Sequence, residues 1–345
     1  MLDNVESMRK LDKFHVIDAI ESFPEQCEEA IEMARQNSKN IKLKKPKSVA
    51  VCGMGGSGIA GDILAGLFPD RDIRVFKDYV LPNYVGKDYL VFIVSYSGNT
   101  EETISMFQQA LKRRCKIIAI SSGGEIERMA VENRIRHIKI PEGLPPRFAF
   151  AYLFFPLIVI LAKLKFINKQ NLDRIVKHLK ETRDEITTSI PTKNNPAKRI
   201  ALKLFGSVPI IQGFGKYSAV AYRAKSQFNE NSKLPAFHEI YPEMNHNSIL
   251  GWEHAESLTK SFGVVVLRDE HESEKIRKRI EFTKKVLKKS ARCVVEIWST
   301  YPLDISRVLS TMYVLDFVSV YLGLLRGEDP GENSLLTQLK NILKK

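Results

Sequence analysis

Residues 49–61 read Val-Ala-Val-Cys-Gly-Met-Gly-Gly-Ser-Gly-Ile-Ala-Gly. An apolar run breaks into a cluster of glycines with one serine, and a helical pattern follows. This order predicts a strand, a tight loop and a helix start. Glycines there let the backbone approach a bound anion, and the helix start offers free N–H groups and a positive dipole end. The loop is suited to a phosphate. Its spacing leaves the kind of phosphate open, because Gly53, Gly55 and Gly58 satisfy the G-x-G-x-x-G dinucleotide pattern. Asp78 follows where that fingerprint asks for an acid.

The N-terminal half alternates. Apolar strand candidates fall at 48–53, 72–76, 90–95, 116–121 and 136–140, with helical patterns between them at 57–67, 100–113 and 124–132. This is the rhythm of a doubly wound parallel sheet, whose ligands bind at the carboxyl ends of strands where chain order reverses. Residues 3–36 look helical, with Phe14, Val16, Ile17, Ile20 and Ile31 as apolar teeth, and 148–164 is an apolar helix. A lysine-rich helical stretch at 166–200 reads as a bridge. A second alternation follows, with strands at 208–213, 262–268 and 292–298 and helices at 216–229, 272–289, 304–326 and 334–343. A length of 345 residues makes two domains the natural division. We expect 1–165 to form the first, with the leading helix, and 166–345 the second, with the bridge. Both are α/β, and no residue-level repeat relates them.

Composition narrows the function classes. The net charge of +13 permits anionic partners, but the basic residues are spread along the chain. They cluster mainly around 42–47, 276–289 and the C-terminus, and the 276–289 run lies on an amphipathic helix pattern and reads as a solvated face. Cys27, Cys52, Cys115 and Cys293 show neither paired nor zinc-ligand spacing. The first residues do not read as a signal peptide, and the apolar stretch 148–162, interrupted by Pro156, is too short to span a bilayer. The expectation is a soluble cytoplasmic protein without nucleic-acid or membrane partners.

Three further segments carry chemistry. The third strand ends in Ser95-Tyr96-Ser97-Gly98-Asn99-Thr100-Glu101-Glu102-Thr103. Capping a helix needs one such side chain, and Glu102 stands where a capping box from Asn99 would want it. Three hydroxyls at 95, 97 and 100 make a better phosphate cradle, since each oxygen of a monoester needs donors. Arg147 follows a rigid Pro145-Pro146 turn after a strand end, which aims it at the same crevice. Residues 229–247 hold Glu230, His238, Glu239, Glu243 and His246 without apolar periodicity, and read as a general acid/base loop.

The glycine loop and residues 95–103 resemble the two phosphosugar-binding loops of sugar isomerase (SIS) domains. Together with Pro145-Pro146-Arg147, Asn229-Glu230-Asn231 and Asn245-His246-Asn247-Ser248, they make residues 45–345 similar to the bifunctional phosphoglucose/phosphomannose isomerases of archaea and some bacteria. The resemblance implies two tandem SIS-type halves, each a parallel sheet flanked by helices. It also implies aldose–ketose isomerisation of sugar 6-phosphates with neither metal nor other cofactor. In that family Ser57, Ser95, Ser97 and Thr100 correspond to the hydroxyls around the phosphate, with Gly55 and Gly56 lending backbone. Glu230 matches the base that moves a proton between C1 and C2, and Arg147 the charge that steadies the enediolate. His246 matches the residue that assists ring opening, contributed by the neighbouring subunit of a homodimer. A C-terminal lysine also belongs to the family's site; Lys340 is the best match, with Lys344 and Lys345 nearby. Use of mannose 6-phosphate is linked to a small hydroxyl residue, for which Ser334 and Thr337 are candidates.

These roles suit the reaction. One carboxylate must reach both carbons, a neutral histidine can relay protons for ring opening, and a guanidinium stabilises charge developing on the oxygens. Phosphate binding energy orients the reacting end. Three rivals compete. A nicotinamide-dependent oxidoreductase would not require the serine-rich second loop. A non-catalytic phosphosugar regulator would have no use for Glu230 and His246. A different SIS enzyme, acting on amino-sugar or pentose phosphates, would keep the phosphate loops and alter 230–250.

Overall fold

The structure is a computed structural model that describes residues 1–254 and 256–343. In chain order its elements begin with α1 (Val5–Leu11), α2 (Val16–Glu21), α3 (Phe23–Ser38), β1 (Ser48–Cys52) and α4 (Gly55–Leu67). Next come β2 (Ile73–Phe76), β3 (Tyr89–Val94), α5 (Glu101–Lys112), β4 (Lys116–Ser121), α6 (Gly124–Glu132), β5 (Arg136–Lys139) and α7 (Phe150–Lys163). The chain continues through α8 (Leu172–Ile186), α9 (Pro196–Leu204), β6 (Val208–Phe214), α10 (Ser218–Asn231) and β7 (Phe237–Tyr241). It ends with α11 (Glu256–Thr259), β8 (Phe262–Asp269), α12 (Glu274–Ser290), β9 (Cys293–Ser299), α13 (Asp304–Leu325) and α14 (Ser334–Leu343).

Two compact units form, Ser22–Lys177 and the pair of segments Met1–Glu21 with His178–Lys345. The first carries a five-stranded parallel sheet in the order β2-β1-β3-β4-β5. Its central strands are covered on both faces by helices, so β1, β3 and β4 read as continuous apolar runs. Arg136-His137-Ile138-Lys139 of β5 is more polar, as suits an edge. α7 is apolar all round because it is buried all round, packed on α3 and α4.

The second unit holds a four-stranded parallel sheet, β7-β6-β8-β9. β7 is a strand where the sequence predicted only a loop. It lies at the edge, with Phe237 and His238 exposed, so its residues show no apolar alternation. α13 is long and apolar enough to cross a bilayer, but 89% of its most apolar window is buried inside the protein, which marks it as the unit's central core helix.

The boundaries fall after Glu21 and Lys177 rather than at 165/166, and the leading stretch is divided between the units. The predicted helix over 3–36 is three helices, interrupted at His15 (φ +54°), where the Asp12 carboxylate caps α2 through Val16 N–H and Ile17 N–H. α1 and α2 join the C-terminal unit through specific bonds. The Tyr313 hydroxyl donates to Ile20 O (2.8 Å), Thr188 N–H to the Glu21 carboxylate (2.9 Å) and Thr192 N–H to Asp3 (2.7 Å).

Candidate active site

In the first sheet β1 pairs with β2 on one flank and β3 on the other, so chain order reverses between β1 and β3. The predicted phosphate loops, 53–58 and 95–100, leave the carboxyl ends of these two strands, at the crevice where doubly wound sheets hold ligands. Gly53 lies so close to β3 that a Cβ there would stand 2.6 Å from Val94 O. Gly55 takes φ +48°, a left-handed conformation, and starts α4. Met54, the N-cap residue, supplies no side-chain bond. Among the described residues nothing accepts from the N–H groups of Gly55 and Gly56, which stay available to an anion.

The hydroxyls divide into two kinds. Ser57 and Ser95 are buried and fasten the loops: Ser57 Oγ accepts from Tyr96 N–H (3.1 Å), and Ser95 Oγ bonds Thr100 Oγ1 (2.9 Å) and accepts from Gly98 N–H (3.2 Å). Ser97 is exposed and Thr100 half-buried, at the N-terminus of α5. The expected Asn99–Glu102 capping box does not form, because Asn99 Oδ1 instead accepts from Glu125 N–H (3.0 Å) and caps α6. Thr100 occupies the N-cap position without a capping bond of its own.

Tyr96, to which the sequence assigned no role, joins three segments. Its N–H reaches Ser57, its carbonyl accepts from Ser122 N–H (2.9 Å), and its hydroxyl oxygen accepts from Leu144 N–H (2.8 Å). Burial pushes its phenol pKa up, so the hydroxyl stays neutral. The Leu144 bond draws in the turn that carries Arg147. Arg147 is buried on a 3-10 helix, Pro146–Phe148, with its guanidinium 5.1 Å from the Phe148 ring centroid. Pro146 O lies 3.1 Å from where a Cβ on Gly56 would sit, so the arginine's helix backs directly onto the glycine loop. Asp78, the acid of the dinucleotide pattern, is exposed and accepts from its neighbour Tyr79 N–H (2.6 Å), while Lys77 beside it pairs with Asp62.

In the second unit Glu230 sits in the last turn of α10. That helix end is anchored on α13: Asn231 Nδ2 donates to Ser319 Oγ (2.9 Å), Ser232 Oγ to Ser319 O (2.6 Å) and Arg326 Nε to Ser232 O (2.9 Å). The buried pair Arg223–Asp316 (2.7 Å) fixes the same two helices. His246 is exposed on a 3-10 helix, Glu243–His246, that follows β7. α10 runs back along the sheet and the parallel strand β7 returns, so Glu230 and His246 lie at opposite ends of its strands, Glu230 at the amino ends and His246 at the carboxyl ends. The helix alone spans about 20 Å at 1.5 Å per residue. One chain does not bring the two together. Two other members of the acid/base loop have structural partners: Glu239 accepts from Gln212 Nε2 (3.0 Å) and His238 packs edge-on against Tyr222. Lys340 lies on α14 with Ser334 and Thr337, its side chain outside the described set, as are Lys344 and Lys345.

The comparisons with known proteins agree with this architecture. The model of the bacterial phospho-glucose isomerase C-terminal SIS domain matches residues 193–343. A bifunctional phosphoglucose/phosphomannose isomerase of Caldicellulosiruptor bescii is 36% identical over 334 residues, 95% of this chain and 98% of its own length. The chain belongs to the bifunctional phosphoglucose/phosphomannose isomerase family. The Aquifex aeolicus member is 33% identical over 87% of this chain and 91% of its own. In fold, the chain is similar to tagatose-6-phosphate ketose/aldose isomerase from Escherichia coli, with a TM-score of 0.70 at 16% identity over 91% of this chain and 93% of that one.

For a phosphoglucose/phosphomannose isomerase family member, the division of residues is informative. Gly55, Gly56, Ser57, Ser95, Ser97, Thr100 and Arg147 gather in the first unit, on three loops tied by Tyr96. Glu230 and His246 belong to the second unit. Among the described residues no three His, Cys, Asp or Glu side chains form a metal-binding group.

Proposed function

We propose that this protein interconverts glucose 6-phosphate and mannose 6-phosphate with fructose 6-phosphate through a cis-enediol. The observation that carries this reading is the junction in the first unit, where two helix-start N–H groups without an acceptor among the described residues, the hydroxyls of Ser97 and Thr100 and a buried arginine meet at the sheet's switch point. The dianionic phosphate binds at Gly55, Gly56, Ser97 and Thr100, while Ser57 and Ser95 hold the loops in shape. Glu230 takes the proton from C2 as the C1 carbonyl oxygen is protonated, giving the enediol. The same acid then returns the proton to C1 as O2 gives up its own. Arg147 stabilises charge on the C1–C2 oxygens, and Lys340 assists at the substrate. The two aldoses differ only in configuration at C2 and share one enediol, so one base serves both.

His246 relays protons in ring opening and acts in a partner subunit's site within a homodimer. Its distance from Glu230 along the second sheet supports that sharing. The protein works in the cytoplasm, in carbohydrate metabolism, with no nucleic-acid or membrane partner.

A coupled assay of metal-stripped protein with each sugar, beside Glu230→Gln, tests the reading. We expect turnover of both and a loss of roughly 10²–10⁴-fold in kcat for the variant. Turnover of glucose 6-phosphate alone would remove the mannose assignment. No turnover of either, with a phosphosugar still raising Tm, would favour a regulator or another phosphosugar enzyme.

A further inference from the structure

The two sheets repeat each other where the sequence shows no repeat. Each reverses chain order beside its first strand, β1 in one and β6 in the other. Cys52 stands opposite Ile93, and Gln212 opposite Val266. Immediately after these come Gly53 and Gly213, and two residues further on Gly55 (φ +48°) and Gly215 (φ +46°). Counted the same way, Gly56 corresponds to Lys216, Ser57 to Tyr217 and Tyr96 to Asp269.

What fills the two crevices differs. In the first unit the helix start is open. In the second, the side chains of the corresponding helix-start residues, Lys216 and Tyr217, close on a carboxylate. Asp269 is 1% exposed and collects four donors: Lys216 Nζ (2.9 Å), Tyr217 hydroxyl (2.9 Å), Arg307 Nε (3.1 Å) and His271 N–H (2.8 Å). Asp304 meets both cations from the solvent side. Two cations, a phenol and a backbone N–H are a donor set for an oxyanion.

We propose that the second unit retains an anion cradle equivalent to the first and keeps it filled with its own Asp269 carboxylate, so that each chain takes up one phosphosugar, in the first unit only. The inference rests on the reading of the first unit's loops as the phosphate site. The resident carboxylate keeps this second cradle closed to phosphate while neutralising Lys216 and Arg307.

The test is chemical rescue. Asp269→Gly removes the carboxylate and leaves the donors; Asp269→Asn keeps the volume and removes the charge. Both are melted in sodium chloride, sodium formate and inorganic phosphate at equal ionic strength, and bound phosphate per chain is counted by equilibrium dialysis. We expect both variants to melt several degrees below the wild type in chloride. The glycine variant alone should recover in formate or phosphate, and it should bind one phosphate more per chain than the wild type. Equal responses in all three salts, or an unchanged phosphate count, overturn the proposal. If the glycine variant is obtained only unfolded, refolding is attempted in each salt, and failure in all three also overturns it. The wild-type count separately tests the first unit's phosphate loops, so failure of that reading and failure of this one are told apart.

Discussion

Single residues in the first unit divide between holding a substrate and holding the holder. Ser57 has the side chain expected to touch phosphate, yet its oxygen accepts from Tyr96 N–H and it is buried. Removing that acceptor strands a buried N–H, which costs about 1–3 kcal/mol. Ser57→Ala is therefore expected to lower stability in urea by that amount and to raise KM for the sugar phosphate, because the loops at 53–58 and 95–100 lose their direct tie. A KM change without a stability change would mean that Ser57 contacts phosphate and does not fasten the loops. Tyr96 shows why this hub is hard to see in a sequence: its three partner residues, Ser57, Ser122 and Leu144, lie 39, 26 and 48 positions away.

At the scale of elements, the direction of α10 matters most. It carries Glu230 away from the strands' carboxyl ends, where β7 delivers His246, and the Arg223–Asp316 pair and the Ser319 bonds hold it there against α13. A catalytic site that needs both residues must then draw them from two chains. Mixing Glu230→Gln chains with His246→Ala chains tests this. Random pairing makes half the dimers mixed, and one of the two sites in each is intact, so activity should return to about a quarter of wild type. No recovery in verified mixed dimers would return the histidine to its own chain's site. The strand β7 belongs to this scale as well. The acid/base loop read from residues 229–247 is in fact a helix end, an edge strand and a 3-10 turn.

For the whole molecule, the second unit's ionic cluster ties stability to pH. Burial acts to raise the Asp269 pKa, but bonds from Lys216, His271 N–H and Tyr217 outweigh it and hold the carboxyl below its usual range. Asp304 is held down in the same way, against burial, by Lys216 and Arg307. A carboxyl depressed on folding contributes stability above its unfolded pKa and loses it as pH falls through the folded value. The Tm difference between wild type and Asp269→Asn should thus be constant from pH 5 to 8 and shrink below about pH 4, the unfolded Asp value. A difference that grows on acidification would contradict a charged Asp269 at neutral pH.

By itself the sequence determined the α/β class, the positions of eight of the nine described strands, the two glycine- and serine-bearing loops that follow β1 and β3, and the family. These are carried by local chemistry: apolar runs that must be covered on both faces, glycines at helix starts, and hydroxyls clustered after a strand. Tertiary structure alone decided that α1 and α2 join the C-terminal unit, that β7 is a strand, and that Ser57 and Ser95 are buried and bonded to Tyr96 N–H and Thr100 Oγ1. It also decided that Glu230 and His246 part company along the second sheet, and that Asp269 fills the second crevice. Each of these depends on partners far apart in the chain, and a hydrogen bond or ion pair between distant residues leaves no periodicity in the sequence to read.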